Sequence, residues 1–174
     1  GSFLRVAQKR GWEVHGVEPN KWCCDWGKHN YGIDIKQGTI FENEFVDEFF
    51  DVVCLWDVLE HTPDPSKTLL ECNRILKKNG ILVVNYPDVG SFLAKTMKKK
   101  WMFFLSVHLY YFTRNTIRRI LNKTEFKMIK IKPHIQRLSL GYLLFRLEAY
   151  NKPISNLGKQ LTNVLHLSDL QIPY

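Results

Sequence analysis

Apolar positions along the chain switch between a period near 3.6 and near-continuous runs, and the order of the switches predicts alternating helices and strands. Residues 3–9 suit a short helix ending before Gly11, and residues 12–17 read as a strand with Glu18 at its carboxyl end. Pro19 and Asn20 punctuate the chain. Residues 22–29 then read as helix stopped by Gly32, and residues 33–37 as a brief strand. The run Phe-Asp-Val-Val-Cys-Leu-Trp at residues 50–56 has the pattern of a parallel strand buried on both faces, and so of a central one. Asp64 and Pro65 open the best-specified helix. Its apolar stripe is Leu69, Cys72 and Leu76, Lys77 and Lys78 suit its dipole, and Gly80 is its stop. Residues 81–86 form the next strand, which completes a strand-helix-strand crossover.

Residues 89–112 break this rhythm and form a lid-like insert of basic and aromatic residues. Thr113 then caps a helix bearing Ile117, Ile120 and Leu121, and residues 126–132 read as a strand. Two helices fill residues 139–168, broken near Asn151-Lys152-Pro153. The class predicted is α/β: a Rossmann-like, mostly parallel sheet with helices on both faces, a helical insert and a helical tail, in one domain over residues 1–174.

Composition narrows the classes. With 174 residues, 45% apolar and 24% charged, the chain has the makings of one folded domain and not of a disordered one. Its formal charge of +8 favours anions, yet the lysines fall in short clusters (77–78, 98–100 and 127/130/132) that suit solvated faces, and no nucleic-acid motif accompanies them. The four cysteines show no C-x-x-C spacing, so neither zinc nor a disulfide framework is indicated. His15, His29, His134 and His166 have no metal-ligand spacing, and no metal is expected. The densest apolar run, residues 101–107, is too short to span a bilayer and nothing reads as a signal peptide, which points to the cytoplasm.

In open α/β sheets, ligands bind outside the carboxyl ends of the strands, where an acid can accept hydrogen bonds from both ribose hydroxyls of a nucleoside. Glu18 occupies such a point, at the expected offset from a glycine turn that would end at Gly1. A more specific constellation follows: Phe50-Asp-Val-Val-Cys-Leu-Trp-Asp-Val-Leu-Glu-His61, with Pro63-Asp-Pro65 beyond it and Ile75-Leu-Lys-Lys-Asn-Gly-Ile-Leu-Val-Val84 after that. These segments, with Gly16-Val-Glu-Pro19 and His108-Leu-Tyr-Tyr-Phe-Thr113, resemble class I S-adenosylmethionine-dependent methyltransferases, particularly those akin to ubiquinone-biosynthesis O-methyltransferases, over about residues 1–132.

The resemblance implies S-adenosylmethionine as cofactor. It puts Glu18 and Pro19 at the ribose, Thr39 and Ile40 beside the adenine, Trp56 and Asp57 next to the methionine part, and Gly1 as the last glycine of the phosphate-free Gly-x-Gly-x-Gly turn. A Gly-Ser cloning remnant would look the same as Gly1-Ser2. In the family the strand order is 3-2-1-4-5-7-6. The first strand and the last, antiparallel one are not found between Gly1 and Tyr174, so the natural chain is expected to be longer at both ends and this segment alone to bind cofactor poorly.

The reaction implied is transfer of a methyl group to an oxygen, or less readily a nitrogen or carbon, of a small-molecule or sugar-like acceptor. The insert's Lys95, Lys98–Lys100 and Trp101 would suit an anionic or lipid-linked acceptor, or equally a helical lid with solvated lysines. His108 is a candidate general base, with Tyr110 and Tyr111 as lining; His61 is either a base or a ring that hydrogen-bonds backbone at a helix start. Two other classes share the pattern: a nicotinamide-dependent oxidoreductase, and a module that keeps the fold without turnover.

Overall fold

The computed structural model describes residues 1–134, 137–148, 152–165 and 167–173. The chain divides into two compact units, one of Gly1–Val89 with Val107–Lys127, the other of Gly90–Ser106 with Met128–Tyr174.

Two parallel ribbons organise the first unit. β1 (Gly16–Glu18) pairs with β2 (Ile35–Gln37), Glu18 standing opposite Gln37. β3 (Phe50–Trp56) pairs with β4 (Leu76–Asn85), Trp56 standing opposite Asn85. Helix α1 (Ser2–Lys9) touches both ribbons: a Cβ on Gly16 would lie 2.5 Å from Leu4 Cδ1, and the Phe3 ring sits 5.3 Å from Trp56. The His15 ring lies 5.5 Å from those of Phe49 and Phe50, so the amino ends of β1 and β3 are neighbours.

The helices form where their caps foretell. Asn20 accepts from the Trp22 and Cys23 amides to open α2 (Lys21–Tyr31), and Gly32 closes it at φ 66°, a left-handed conformation that costs glycine little. α2 packs closely on β2 at Gly27, where a Cβ would meet Ile35 Cδ1 at 2.7 Å and push that side chain aside. Asp64 caps α3 (Pro65–Ile75), whose Leu69, Cys72 and Ile75 are buried. Thr113 and Thr116 form a reciprocal capping box at α5 (Arg114–Lys123), and Asn73 Nδ2 donates to the Thr124 carbonyl to join α3 to the end of α5.

In the second unit, α4 (Phe92–Met97) is capped by Ser91, and α6 (Leu140–Leu147) packs on α7 (Lys152–Val164), with the buried Ser155 hydroxyl donating to the Leu144 carbonyl at 2.6 Å. Lys152 and Pro153, expected at the break between these helices, open α7, and Asn151, like His166, lies outside the described residues.

Four expectations need correction. First, β1 begins at Gly16, not at residue 12. Second, α3 ends at Ile75 because Leu76, 5% exposed, is buried opposite Phe50 at once as the first residue of β4. Register resumes at Val52 opposite Ile81, so residues 77–80 bulge out; Lys77 pairs with Asp51 at 2.9 Å instead of serving the helix dipole, and Gly80 sits in the bulge. Third, β3 is mostly half-buried, having a ladder partner on one edge only among the described residues. Fourth, residues 126–132 form no strand, whereas β6 (Gln171–Pro173) forms an antiparallel ribbon with β5 (Arg137–Ser139) that the sequence did not announce.

Candidate functional site at the strand ends

Most of the residues expected at a cofactor lie just beyond the carboxyl ends of the parallel strands. Glu18 is the last residue of β1 and half-buried; its carbonyl accepts from Gly38 N at 3.0 Å and from the Cys24 thiol at 3.3 Å, which fixes its backbone. One carboxylate oxygen, Oε1, accepts from Asn20 N at 2.9 Å, and Oε2 has no hydrogen-bond partner among the described residues. Pro19 follows, exposed. Beyond β2, Gly38 turns the chain at φ 114° and presents Thr39, exposed, and Ile40, half-buried; Glu42 holds the Thr39 amide at 2.6 Å.

Trp56 ends β3, half-buried against Phe3. Asp57 then takes a left-handed φ of 51°, a conformation a non-glycine residue holds only when its surroundings fix it, and its carboxylate accepts from Asn85 Nδ2 at 2.6 Å. Asn85 ends β4, so the two strand tips are cross-linked by side chains. Gly1 is the N-cap of α1, beside the Tyr31 ring and Gly27, and the Arg5 guanidinium lies over that ring, 4.6 Å from its centroid.

A second group sits on the turn after Asp57. Residues Leu59–His61 form a 3-10 turn, and the segment that leads into α5 is stitched to it: the Leu109 and Tyr110 amides donate to the Glu60 carbonyl, and the Tyr110 hydroxyl donates to the Pro63 carbonyl at 3.0 Å. His61 Nδ1 donates to the Val107 carbonyl at 3.0 Å. The ring therefore bonds backbone through Nδ1, and Nε2 has no hydrogen-bond partner among the described residues. The His61 and His108 rings meet edge to face with centroids 4.7 Å apart, and Tyr111 lies 5.6 Å from His108. Sequence spacing put these two histidines 47 positions apart; only the fold brings them together.

Sequence reasoning passed over Glu60. It is 1% exposed, and burial pushes its carboxyl up from the usual range, with the nearby Asp57 charge adding to the effect. A separate cavity of about 260 Å³ opens among Val14, His15, Gly16, Ile33 and Asp34, at the amino ends of β1 and β2 and away from the residues just described.

Comparisons with known proteins bear on this arrangement. Residues 1–131 match a family described as methyltransferase domain. The chain is 41% identical over 46 residues, 26% of its length and 19% of the relative's, to a ubiquinone biosynthesis O-methyltransferase of Pasteurella multocida. A probable S-adenosylmethionine-dependent methyltransferase of Mycolicibacterium smegmatis is 34% identical over 56 residues, covering 32% of this chain and 22% of that one. Among solved structures, a SAM-dependent methyltransferase of Thermotoga maritima, described as a possible histamine N-methyltransferase, superposes with a TM-score of 0.61 at 28% identity, covering 76% of this chain and 61% of its own. A SAM-dependent methyltransferase from Archaeoglobus fulgidus shares the fold with a TM-score of 0.62 at 19% identity, covering 80% and 59%. The chain spans less than two thirds of the length of each of these relatives. With its parallel ribbons, crossover helix and Rossmann-like α/β fold, the chain belongs to the methyltransferase-domain family.

Proposed function

We propose that this domain binds S-adenosylmethionine across the carboxyl ends of β1, β2 and β3 and catalyses transfer of its methyl group to an oxygen of a small-molecule or sugar-like acceptor. The observation that carries the reading is the placement of Glu18, Thr39–Ile40 and Trp56–Asp57 at the ends of parallel strands in a chain of this family. The donor set fits the cofactor. Glu18 offers a free carboxylate oxygen to ribose hydroxyls, Ile40 an apolar surface to a base, and Trp56 with Asp57 a ring and a negative charge to a cationic methionine end. Gly1 and Pro19 complete the set.

Bound there, the cofactor supplies a methyl group already activated by its sulfonium. The protein's task is then to hold the acceptor in line and to take a proton, which positioning alone serves with large effect. His108, or His61 through its Nε2, would accept the acceptor's hydroxyl proton on an imidazole lone pair. The lysines of residues 89–112 would favour an anionic acceptor. Among the described residues no helix is long and apolar enough to cross a membrane.

Calorimetric titration of the protein with S-adenosylmethionine and, separately, NAD tests the reading. Saturable binding of the former is expected; binding of NAD alone would support the oxidoreductase alternative, and binding of neither would support a non-catalytic module.

A further inference from the structure

Charge is divided unevenly between the two units. Gly1–Val89 with Val107–Lys127 holds fifteen Lys and Arg against fifteen Asp and Glu, whereas Gly90–Ser106 with Met128–Tyr174 holds ten against two, so the whole formal +8 falls in the second unit. One of its two acids, Glu148, is already paired with Lys159. The α6–α7 hairpin of this unit is also reversed relative to a helix pair in water, where the apolar stripe turns inward. The buried face of α7 is small and hydroxylic. Ser155 donates to the Leu144 carbonyl of α6, a Cβ on Gly158 would lie 2.5 Å from Leu144 Cδ2, and the Thr162 hydroxyl donates to the Gly158 carbonyl. Leu157, Leu161 and Leu165 recur every fourth residue and share another face, which the Leu165 amide continues by donating to the Leu161 carbonyl. These leucines are 59%, 54% and 60% exposed, and Tyr142 and Phe145 of α6 are exposed as well.

We propose that the outward face of the α6–α7 hairpin docks on a membrane surface rich in anionic phospholipid. Small residues between helices with leucines outside them are how helices pack in lipid. At 13 residues α7 falls short of the roughly 20 needed to span a bilayer, so the hairpin lies in the interface, its leucines against acyl chains. The charge of the unit selects the occupant. A second copy of the chain would bring the same +8 and be repelled, and nucleic acid would satisfy the lysines while leaving an aliphatic stripe in water. An anionic lipid surface takes both, the leucines below its phosphates and the lysines among them. Residues 128–134 of the same unit repeat the combination, with exposed Ile129 and Ile131 alternating with exposed Lys130 and Lys132. None of these residues belongs to the strand ends, so the proposal is independent of which cofactor binds there.

Vesicles of phosphatidylcholine, alone or with roughly one third phosphatidylglycerol, are the probe, with co-sedimentation as the readout and circular dichroism confirming the fold of each variant. Binding to the mixed vesicles and not to phosphatidylcholine alone is expected, weakening as NaCl is raised. The triple variant Leu157→Gln/Leu161→Gln/Leu165→Gln should bind at least about tenfold more weakly. Lys130→Gln/Lys132→Gln should lose roughly fivefold for each lysine. Leu70→Gln, at an exposed leucine of α3 in the other unit, should change nothing. Absence of wild-type binding to the mixed vesicles overturns the proposal, and so does undiminished binding by the folded triple leucine variant, which would reduce the attraction to charge alone. Tighter binding to a duplex oligonucleotide than to the vesicles overturns it in favour of nucleic acid. A wild type that elutes as a dimer, with a triple leucine variant that elutes as a monomer, overturns it in favour of a second copy.

Discussion

Replacing Gly80 by Ala separates two physical roles for one residue. A Cβ there would lie 2.9 Å from the Lys77 carbonyl oxygen and 3.3 Å from the Asp51 carbonyl oxygen, both backbone atoms of the β3–β4 ladder, and 2.9 Å from Leu76 Cδ2. Side-chain ends can swing away, but these carbonyls cannot move without disturbing the pairing of Phe50 with Leu76 and of Val52 with Ile81. Loss of glycine's freedom in the unfolded chain favours Ala by about 0.4–1 kcal/mol, while overpacking of a fixed site costs about 1–3 kcal/mol. The second effect wins, leaving a net loss of about 1–2 kcal/mol, which for a chain of this length lowers Tm by roughly 2–8 °C. Urea denaturation of Gly80→Ala and Gly80→Asn measures it. If Gly80 were a left-handed helix stop, Asn would substitute better than Ala; if close approach is the reason, Asn is at least as harmful. An Ala variant as stable as the wild type, or an Asn variant clearly better than Ala, refutes the reasoning.

Three further outcomes are expected. Thr113→Ala removes the hydroxyl that accepts from Thr116 N and should cost about 1 kcal/mol in chemical denaturation. Burial pushes the Tyr86 phenol, flanked by Asp88 and Arg114, up to about 12, and the Cys72 thiol likewise to about 12. A folded value raised above the unfolded one gives stability that is full at lower pH and lost as pH rises through it, so stability should fall between about pH 9 and 12, and Tyr86→Phe with Cys72→Ala should flatten that fall. His108→Ala should lower turnover on the true acceptor while leaving S-adenosylmethionine affinity unchanged; equal turnover would remove His108 from the chemistry.

How much was legible depended on whether the signal was local. Asn20, Asp64 and Thr113 announce their helices because a cap needs only a side chain and the next few amides. The run at residues 50–56 announces β3 by composition alone. The end of α3 did not follow from spacing, because Leu76 fits both a helical stripe and a buried ladder position, and tertiary pairing with Phe50 decides. The strand expected over residues 126–132 has apolar and β-branched residues, but a strand needs a neighbouring edge. The resemblance to methyltransferases fixed which residues to examine at the strand tips. It did not point to Glu60, buried on the turn after Asp57, or to the meeting of His61 with His108, which depends on backbone bonds between segments far apart in sequence.

The central claim is that a nucleoside lies across the strand tips with its sugar held by Glu18. Calorimetric titration of Glu18→Ala beside the wild type with S-adenosylmethionine tests it most directly. Loss of the charged hydrogen bonds should weaken binding by about 1–3 kcal/mol, or roughly 5- to 150-fold in Kd. Equal affinity in the two proteins, with both folded, would contradict the claim.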